Sequence, residues 1–308
     1  MIYLVMGLKL EFIVDNDWSG RTINQILKNK MNMSKRLINK LKIANMVLLN
    51  SAPSKIITIV NEGDHIEVIF PDENENENII PENKKIEILF EDEFLLIVNK
   101  ASGIVVHPTS AHPSGTLANA VIKHFQLNRL KTKVRLVNRL DKDTSGIVIF
   151  AKNAHIHKLM SLNTKISKEY LGIVHGVPKH QNGTIDLPIL RRAGSIMLRE
   201  ISLSGAPSIT HYEVLEALHE SSYLKFELET GRTHQIRVHC QAIGHPLWKD
   251  SLYGNPLLEK SIEGKLPNSG QALHAHYVSF CHPISKKTIE VFCNPPEPFK
   301  KLLEILRK

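Results

Sequence analysis

The chain is poor in the features that mark several protein classes. Its three cysteines, Cys240, Cys281 and Cys293, form no CxxC pair and leave an odd thiol over. A disulfide framework is therefore not expected, and a reducing, cytoplasmic setting is. The longest apolar stretch, residues 1–8, falls far short of the ~20 residues of a bilayer span. It also lacks the basic lead and small-residue cleavage site of a secretory signal, so neither membrane insertion nor export is expected. No GxGxxG follows a strand pattern and no P-loop is present, which leaves dinucleotide and ATP chemistry without support. No repeat of 20–50 residues is seen. Acid is missing from one long stretch. Between residues 17 and 62 stand eight basic residues (Arg21, Lys28, Lys30, Lys35, Arg36, Lys40, Lys42, Lys55) and no Asp or Glu.

What is present suits a folded protein of about two domains, with 308 residues, 42% hydrophobic and 23% charged. The net charge of +8 points to a polyanionic partner, and the acid-free block narrows that to RNA or DNA rather than a merely solvated face.

The first segment, residues 1–73, reads as a small α/β unit. Ser19 can cap a helix that buries Ile23, Ile26 and Leu27, and Ser34 a second with Leu37, Ile38 and Leu41 inward. Lys35, Arg36, Lys40 and Lys42 then occupy the remaining faces of the second helix. Residues 47–49, residues 56–60 and the alternating Ile66, Val68 and Phe70 predict short strands, the last entered through Glu62-Gly63-Asp64. Over about fifty residues this pattern resembles the S4 RNA-binding module. The resemblance implies that the basic helix, with Lys35, Arg36, Lys40 and Lys42, rests on structured RNA. Residues 74–87 follow as an acidic linker, part of a stretch (residues 72–93) with nine acids against two lysines.

Residues 88–308 predict a strand-rich α+β domain, with apolar or alternating runs at 94–98, 147–151, 170–174 and 223–228. Two constellations stand out there. In LETGRTHQIRVHCQAIGHPLWKDSLYG (residues 228–254), Thr233 can cap a helix running to about Ile243 and closed by Gly244. Ile236, Cys240 and Ile243 form its buried stripe; His234, Arg237 and Gln241 share a polar face suited to phosphate or base edges. A zinc site built from His234, His239, Cys240 and His245 is the weaker alternative, because those spacings scatter the rings over different faces. The second constellation, RLVNRLDKDTSGIVIFAKN (residues 135–153), sets Asp141 and Asp143 in a turn before an apolar strand. By themselves these residues are compatible with an Asx-type turn, a carboxylate pair of glycosidase type or a metal ligand set.

Together, RLDKDTSG and TGRTHQIRVHCQAIGHPL…D…YG resemble the RluA-type RNA pseudouridine synthases. EDEFLLIVNKASGIVVHP, SKEYLGIVHG and LHAHYVSFCHPISKK extend the match over most of the chain. The resemblance implies a pseudouridine synthase fold with a central mixed, largely antiparallel sheet, and a chain that isomerises uridine in structured RNA, ribosomal RNA ahead of transfer RNA. It implies no cofactor, no metal and a monomer. It places catalysis on Asp141, with Arg237 as its cationic partner and Tyr170 stacking on the base and relaying a proton. Arg139 fills the space vacated by an extruded uridine, while Arg232 and His234 meet phosphates at the rim. Asn138 stands where the family has His, Ala101 where it has Pro, and Lys249 where it has Gly. A zinc-dependent nuclease or deaminase, and a non-catalytic RNA-binding factor that keeps the fold, are the competing readings.

Overall fold

Short helices wedged against a small sheet open the chain. β1 (Lys9–Ile13), α1 (Ile23–Gln25), α2 (Lys35–Ile43), β2 (Val47–Leu49), β3 (Ala52–Pro53) and β4 (His65–Ile69) pair in the order β1-β4-β2-β3. This computed structural model describes residues 8–73, 79–162, 164–260, 264 and 270–308. Ser34 caps α2 as expected, accepting a bond from Leu37 N at 3.2 Å. Two local expectations are corrected. The cap of the first helix is Thr22, not Ser19, because Thr22 and Gln25 satisfy each other's backbone N–H groups in a capping box. Residues 56–60 form no strand, only an isolated bridge between Ile59 and Thr22, and Ile57 and Ile59 face solvent.

The rest of the chain adds β5 (Glu87–Glu91), β6 (Leu95–Lys100), α3 (Leu117–Leu127), β7 (Ser145–Ala151), α4 (Ala154–Leu162), β8 (Ser167–His175), β9 (Asn182–Asp186), β10 (Ile189–Arg191) and β11 (Arg199–Ile201). There follow β12 (Ile209–Ala217), β13 (Ser221–Leu228), α5 (Gln235–Ala242), α6 (Pro256–Glu259), β14 (Leu273–Cys281), β15 (Thr288–Phe292) and α7 (Glu297–Leu306). The large sheet runs β5-β6-β7-β14-β8-β13-β12-β9, with β15 beside β14. Its described pairings are antiparallel except β14 with β7, which are parallel, so the sheet is mixed and largely antiparallel as expected.

The period-2 alternation of the central strands divides the core in two. Leu95, Ile97, Ile147 and Ile149 point to one face and pack with α4 and the N-terminal unit. Leu96, Val98, Val148 and Phe150 point to the other, where α3 and α5 cover them. Tyr170 and Ile236 belong to this second face. Of the expected linker, residues 74–78 lie outside the described residues, as do 1–7 of the first apolar stretch. Its described remainder is held down rather than free: Ile79 is buried, Asn119 Nδ2 donates to Ile80 O, and Glu82 accepts from Gly115 N. No helix among the described residues is long and apolar enough to cross a membrane.

Candidate active site

Asp141 is delivered by a segment clipped along β7. Val137 N donates to Ile149 O at 2.9 Å, and Asn138 holds both sides of the clip. Its Nδ2 donates to Ile147 O at 3.1 Å and its Oδ1 accepts from Ile149 N at 2.7 Å. An uncharged amide meets that demand for one donor and one acceptor, so position 138 needs no ionisable ring to hold the loop. The chain then turns, with Thr144 N donating to Asp141 O, and enters β7. Gly146, at φ +110°, lies where β7 crosses β14; a Cβ there would overlap the Ala275 backbone.

Beneath this loop sits a residue to which sequence reasoning assigned no role. Lys100 is fully buried, and its Nζ donates to the carbonyls of Ala101 (2.9 Å), Ile104 (2.8 Å) and Lys142 (2.8 Å). Three acceptors match the three N–H bonds of an ammonium. Burial pushes its pKa down to about 7, against the attraction of Asp143 and then Asp141. The signal available was a lysine closing an otherwise apolar strand, LLIVNK.

The facing wall comes from α5, and its start differs from expectation. Thr233 caps nothing. The helix begins at Gln235, after His234 in the left-handed region at φ 59°. Gln235 organises that entry: its Oε1 accepts from Arg232 N and Thr230 Oγ1, while its Nε2 donates to Ile209 O and Thr210 Oγ1. The C-terminus does close at Gly244, φ +83°, as expected. The anticipated polar face is not solvent-facing. Residues 235–240 are all buried and only Gln241 of the three stripe residues is exposed; β11 and β12 pack against the helix, and Asp141, Asp250 and Tyr253 close over Arg237.

Arg237 is consequently an internal cation. Its Nε and Nη2 donate to Asp250 Oδ2 and Oδ1, both at 2.7 Å, and its Nη1 donates to Asp141 Oδ2 at 2.9 Å. Burial opposes the guanidinium charge, but the hydrogen bonds and charges of Asp250 and then Asp141 outweigh it and raise the pKa further. Asp250 is wholly buried and also accepts from the backbone N–H groups of Leu252 and Tyr253. Sequence reasoning noticed this aspartate as a motif letter but gave it no role. The Tyr253 ring lies 5.1 Å from the guanidinium carbon.

Asp141 thus has one oxygen tied down and a side chain still 25% exposed. His234, expected at the rim, lies deeper: its Nδ1 is 2.9 Å from Tyr253 Oη and its Nε2 is 3.8 Å from Asp141 Oδ2. Burial lowers its pKa despite Asp141. Tyr170 projects from β8, nearly buried, with its pKa raised by burial and then by Asp141. These side chains, with Arg139 and Arg232 at the mouth, line a cavity of about 60 Å³.

The rings once weighed as zinc ligands are tied elsewhere. His239 bonds Thr210 Oγ1 and Leu187 O, and His245 bonds His175 O. No group of three or more His, Cys, Asp or Glu among the described residues could hold a metal ion. Lys35, Arg36, Lys40 and Lys42 are all exposed on α2. Lys249, the position where the resemblance implies Gly, has φ 58°, the left-handed conformation that glycine adopts most readily.

Residues 94–242 match the family model described as RNA pseudouridylate synthase, and residues 10–66 match that of the RluD ribosomal pseudouridine synthase N-terminal domain. YjbO of Bacillus subtilis, named an uncharacterized RNA pseudouridine synthase, is 36% identical over 89% of this chain and 96% of its own. The chain belongs to the RNA pseudouridine synthase family. The ribosomal large subunit pseudouridine synthase D of Buchnera aphidicola (subsp. Acyrthosiphon pisum) is 36% identical to this synthase over 92% of this chain and 94% of its own. Among solved structures, human RNA pseudouridylate synthase domain containing 1 superposes with a TM-score of 0.56 at 25% identity, covering 73% of this chain and 96% of that one. This synthase is therefore an isomerase with the pseudouridine synthase fold.

Proposed function

We propose that this synthase converts uridine to pseudouridine in large-subunit ribosomal RNA, in the cytoplasm, with Asp141 as the catalytic carboxylate. The observation that supports the reading most is the Asp141–Arg237 contact in the cavity wall. It joins residues 96 apart in sequence through one carboxylate oxygen, in a cavity that Tyr170 also lines. The reaction breaks the N1–C1′ bond and forms C5–C1′, the C5 proton being lost as N1 gains one. Atoms and electrons balance within the substrate, so neither redox nor energy input is called for.

In this reading Asp141 acts at the sugar or base while Arg237 holds it ionised and aimed. Tyr170 supplies a ring face for the detached uracil. Its raised pKa makes the phenol a poor acid and keeps it protonated, which favours stacking over proton relay. A paired uridine reaches the cavity by extrusion at a few kcal/mol, and Arg139, exposed at the mouth, fills the gap it leaves. Arg232 stands at the rim while His234 lies behind it against Tyr253 and Asp141, and Lys35, Arg36, Lys40 and Lys42 contribute phosphate contacts. Asp141→Asn is expected to abolish tritium release from [5-³H]uridine in transcribed large-subunit RNA while RNA binding persists. Full release by that variant would overturn the assignment.

A further inference from the structure

A second and larger cavity, about 620 Å³, lies between the N-terminal unit and the large sheet. Arg36 and Lys40 line it from α2, one helical turn apart, and Arg129, Lys131, Lys133 and Arg135 line it from the segment after α3. Two of these six cations are matched, Lys131 by Asp72 and Arg135 by Glu73. Arg36, Lys40, Arg129 and Lys133 are exposed and make no ion pair among the described residues. Asp72 and Glu73 in the same cleft leave four cations unmatched, and an anion spanning the gap would offset their mutual repulsion.

Two further features belong to the cleft itself. Arg129 follows α3 at φ 57°, in the left-handed C-terminal position where glycine is the favoured residue. A side chain with a conformational cost thus places a cation at the cleft. In the cleft wall, Asn153 is 5% exposed; its Oδ1 accepts from Ile156 N at 2.8 Å, while its Nδ2 is buried with no partner.

We propose that this cleft grips the phosphate backbone of the substrate RNA at a point remote from the modified base, joining the catalytic domain to the N-terminal module through the RNA. The inference rests on the RNA-modifying reading above and adds a second anchoring site to it. β7 links the two sites: its first residue follows the Asp141 turn and its last precedes Asn153 by two. The six rises between the ends of this seven-residue strand, at roughly 3.3 Å each, separate the sites by about 20 Å. That is on the order of six stacked nucleotides at about 3.4 Å. Of the four basic residues expected on α2, the cleft takes Arg36 and Lys40, and Lys35 and Lys42 do not line it.

The test uses the full chain and transcribed large-subunit RNA carrying [5-³H]uridine, with binding measured across a salt series. Arg36→Ala/Lys40→Ala and Arg129→Gly/Lys133→Ala are compared with their combination. Each phosphate contact contributes about 0.7–0.9 to the slope of log K against log salt. Removing all four cations should therefore flatten the slope by about 3 and raise KM for RNA at least tenfold, with kcat within twofold. Arg129→Gly alone should leave Tm unchanged or higher while weakening binding, which a structural role for that arginine would not do. An unchanged slope overturns the inference, as does a loss confined to the Arg36/Lys40 pair or a fall in kcat at constant KM. Absence of tritium release by the unaltered protein would instead count against the proposed reaction, so the two failures are separable.

Discussion

Asp250 never faces the substrate, yet the geometry makes activity depend on it. Replacing it by Asn preserves shape, removes the charge and turns one acceptor into a donor facing a guanidinium N–H. Two 2.7 Å bonds to Arg237 are disturbed, and the guanidinium, in a side chain 5% exposed, keeps only Asp141 as its counter-ion. Breaking a buried ion pair costs about 3–5 kcal/mol; because Asp141 remains, about 3 kcal/mol is expected here. For a domain of this size that lowers Tm by about 6–12 °C. The fork also fixes the plane of Arg237 so that Nη1 meets Asp141. Releasing it restores about 2 kcal/mol of rotamer freedom, a loss of about thirtyfold in kcat. KM for RNA should stay within about twofold, since the Asp250 side chain is completely buried. Single-turnover tritium release below the variant's Tm, with thermal unfolding in parallel, measures both effects. A destabilised Asp250→Asn protein that retains wild-type kcat would refute the claim that the buried fork aims the catalytic pair.

Two stability predictions follow from other buried groups. Burial pushes the pKa of both His155 and His274 down to about 4. Their unfolded-state value near 6.5 means the unfolded chain binds protons first as pH falls, so stability is lost between about pH 6.5 and 4, by on the order of 3 kcal/mol per histidine. His155→Phe, beside the stacked Phe70 ring, should shrink the fall in Tm between pH 7 and 4.5; an unchanged fall would exclude that histidine as a source. Lys249→Gly should relieve left-handed strain at φ 58° and stabilise by about 1 kcal/mol, raising Tm by roughly 2–4 °C in a thermal melt. A lower Tm would show that the lysine side chain's contacts outweigh the strain.

Local chemistry made much of the framework legible in advance. Alternation marked the strands around residues 94–98, 147–151, 170–174 and 223–228; Ser34 announced α2, and Gly244 the end of α5. These signals succeed because they concern neighbours in the chain: a cap, a turn or a face with period 2 or 3.6. The resemblance to the pseudouridine synthases implied that Asp141, Tyr170 and Arg237 act together, and the three line one cavity. Where two local solutions competed, sequence was a weaker guide. Thr22 displaced Ser19 as a cap, and His234 rather than Thr233 preceded α5, held by a glutamine side chain reaching back to β12.

Only the tertiary structure could decide burial and partnership. Helical spacing put His234, Arg237 and Gln241 on one side of α5 but said nothing of what covers that side; Asp141, Asp250 and Tyr253 close over Arg237 and make it an interior cation instead of a surface one. The Asp250 fork, the carbonyl cage around Lys100 and the basic cleft at Asn153 all join groups distant in sequence. Electrostatic and hydrogen-bond energies depend on separations of a few ångströms in space, which the order of strands in the sheet sets and the order of residues in the chain does not.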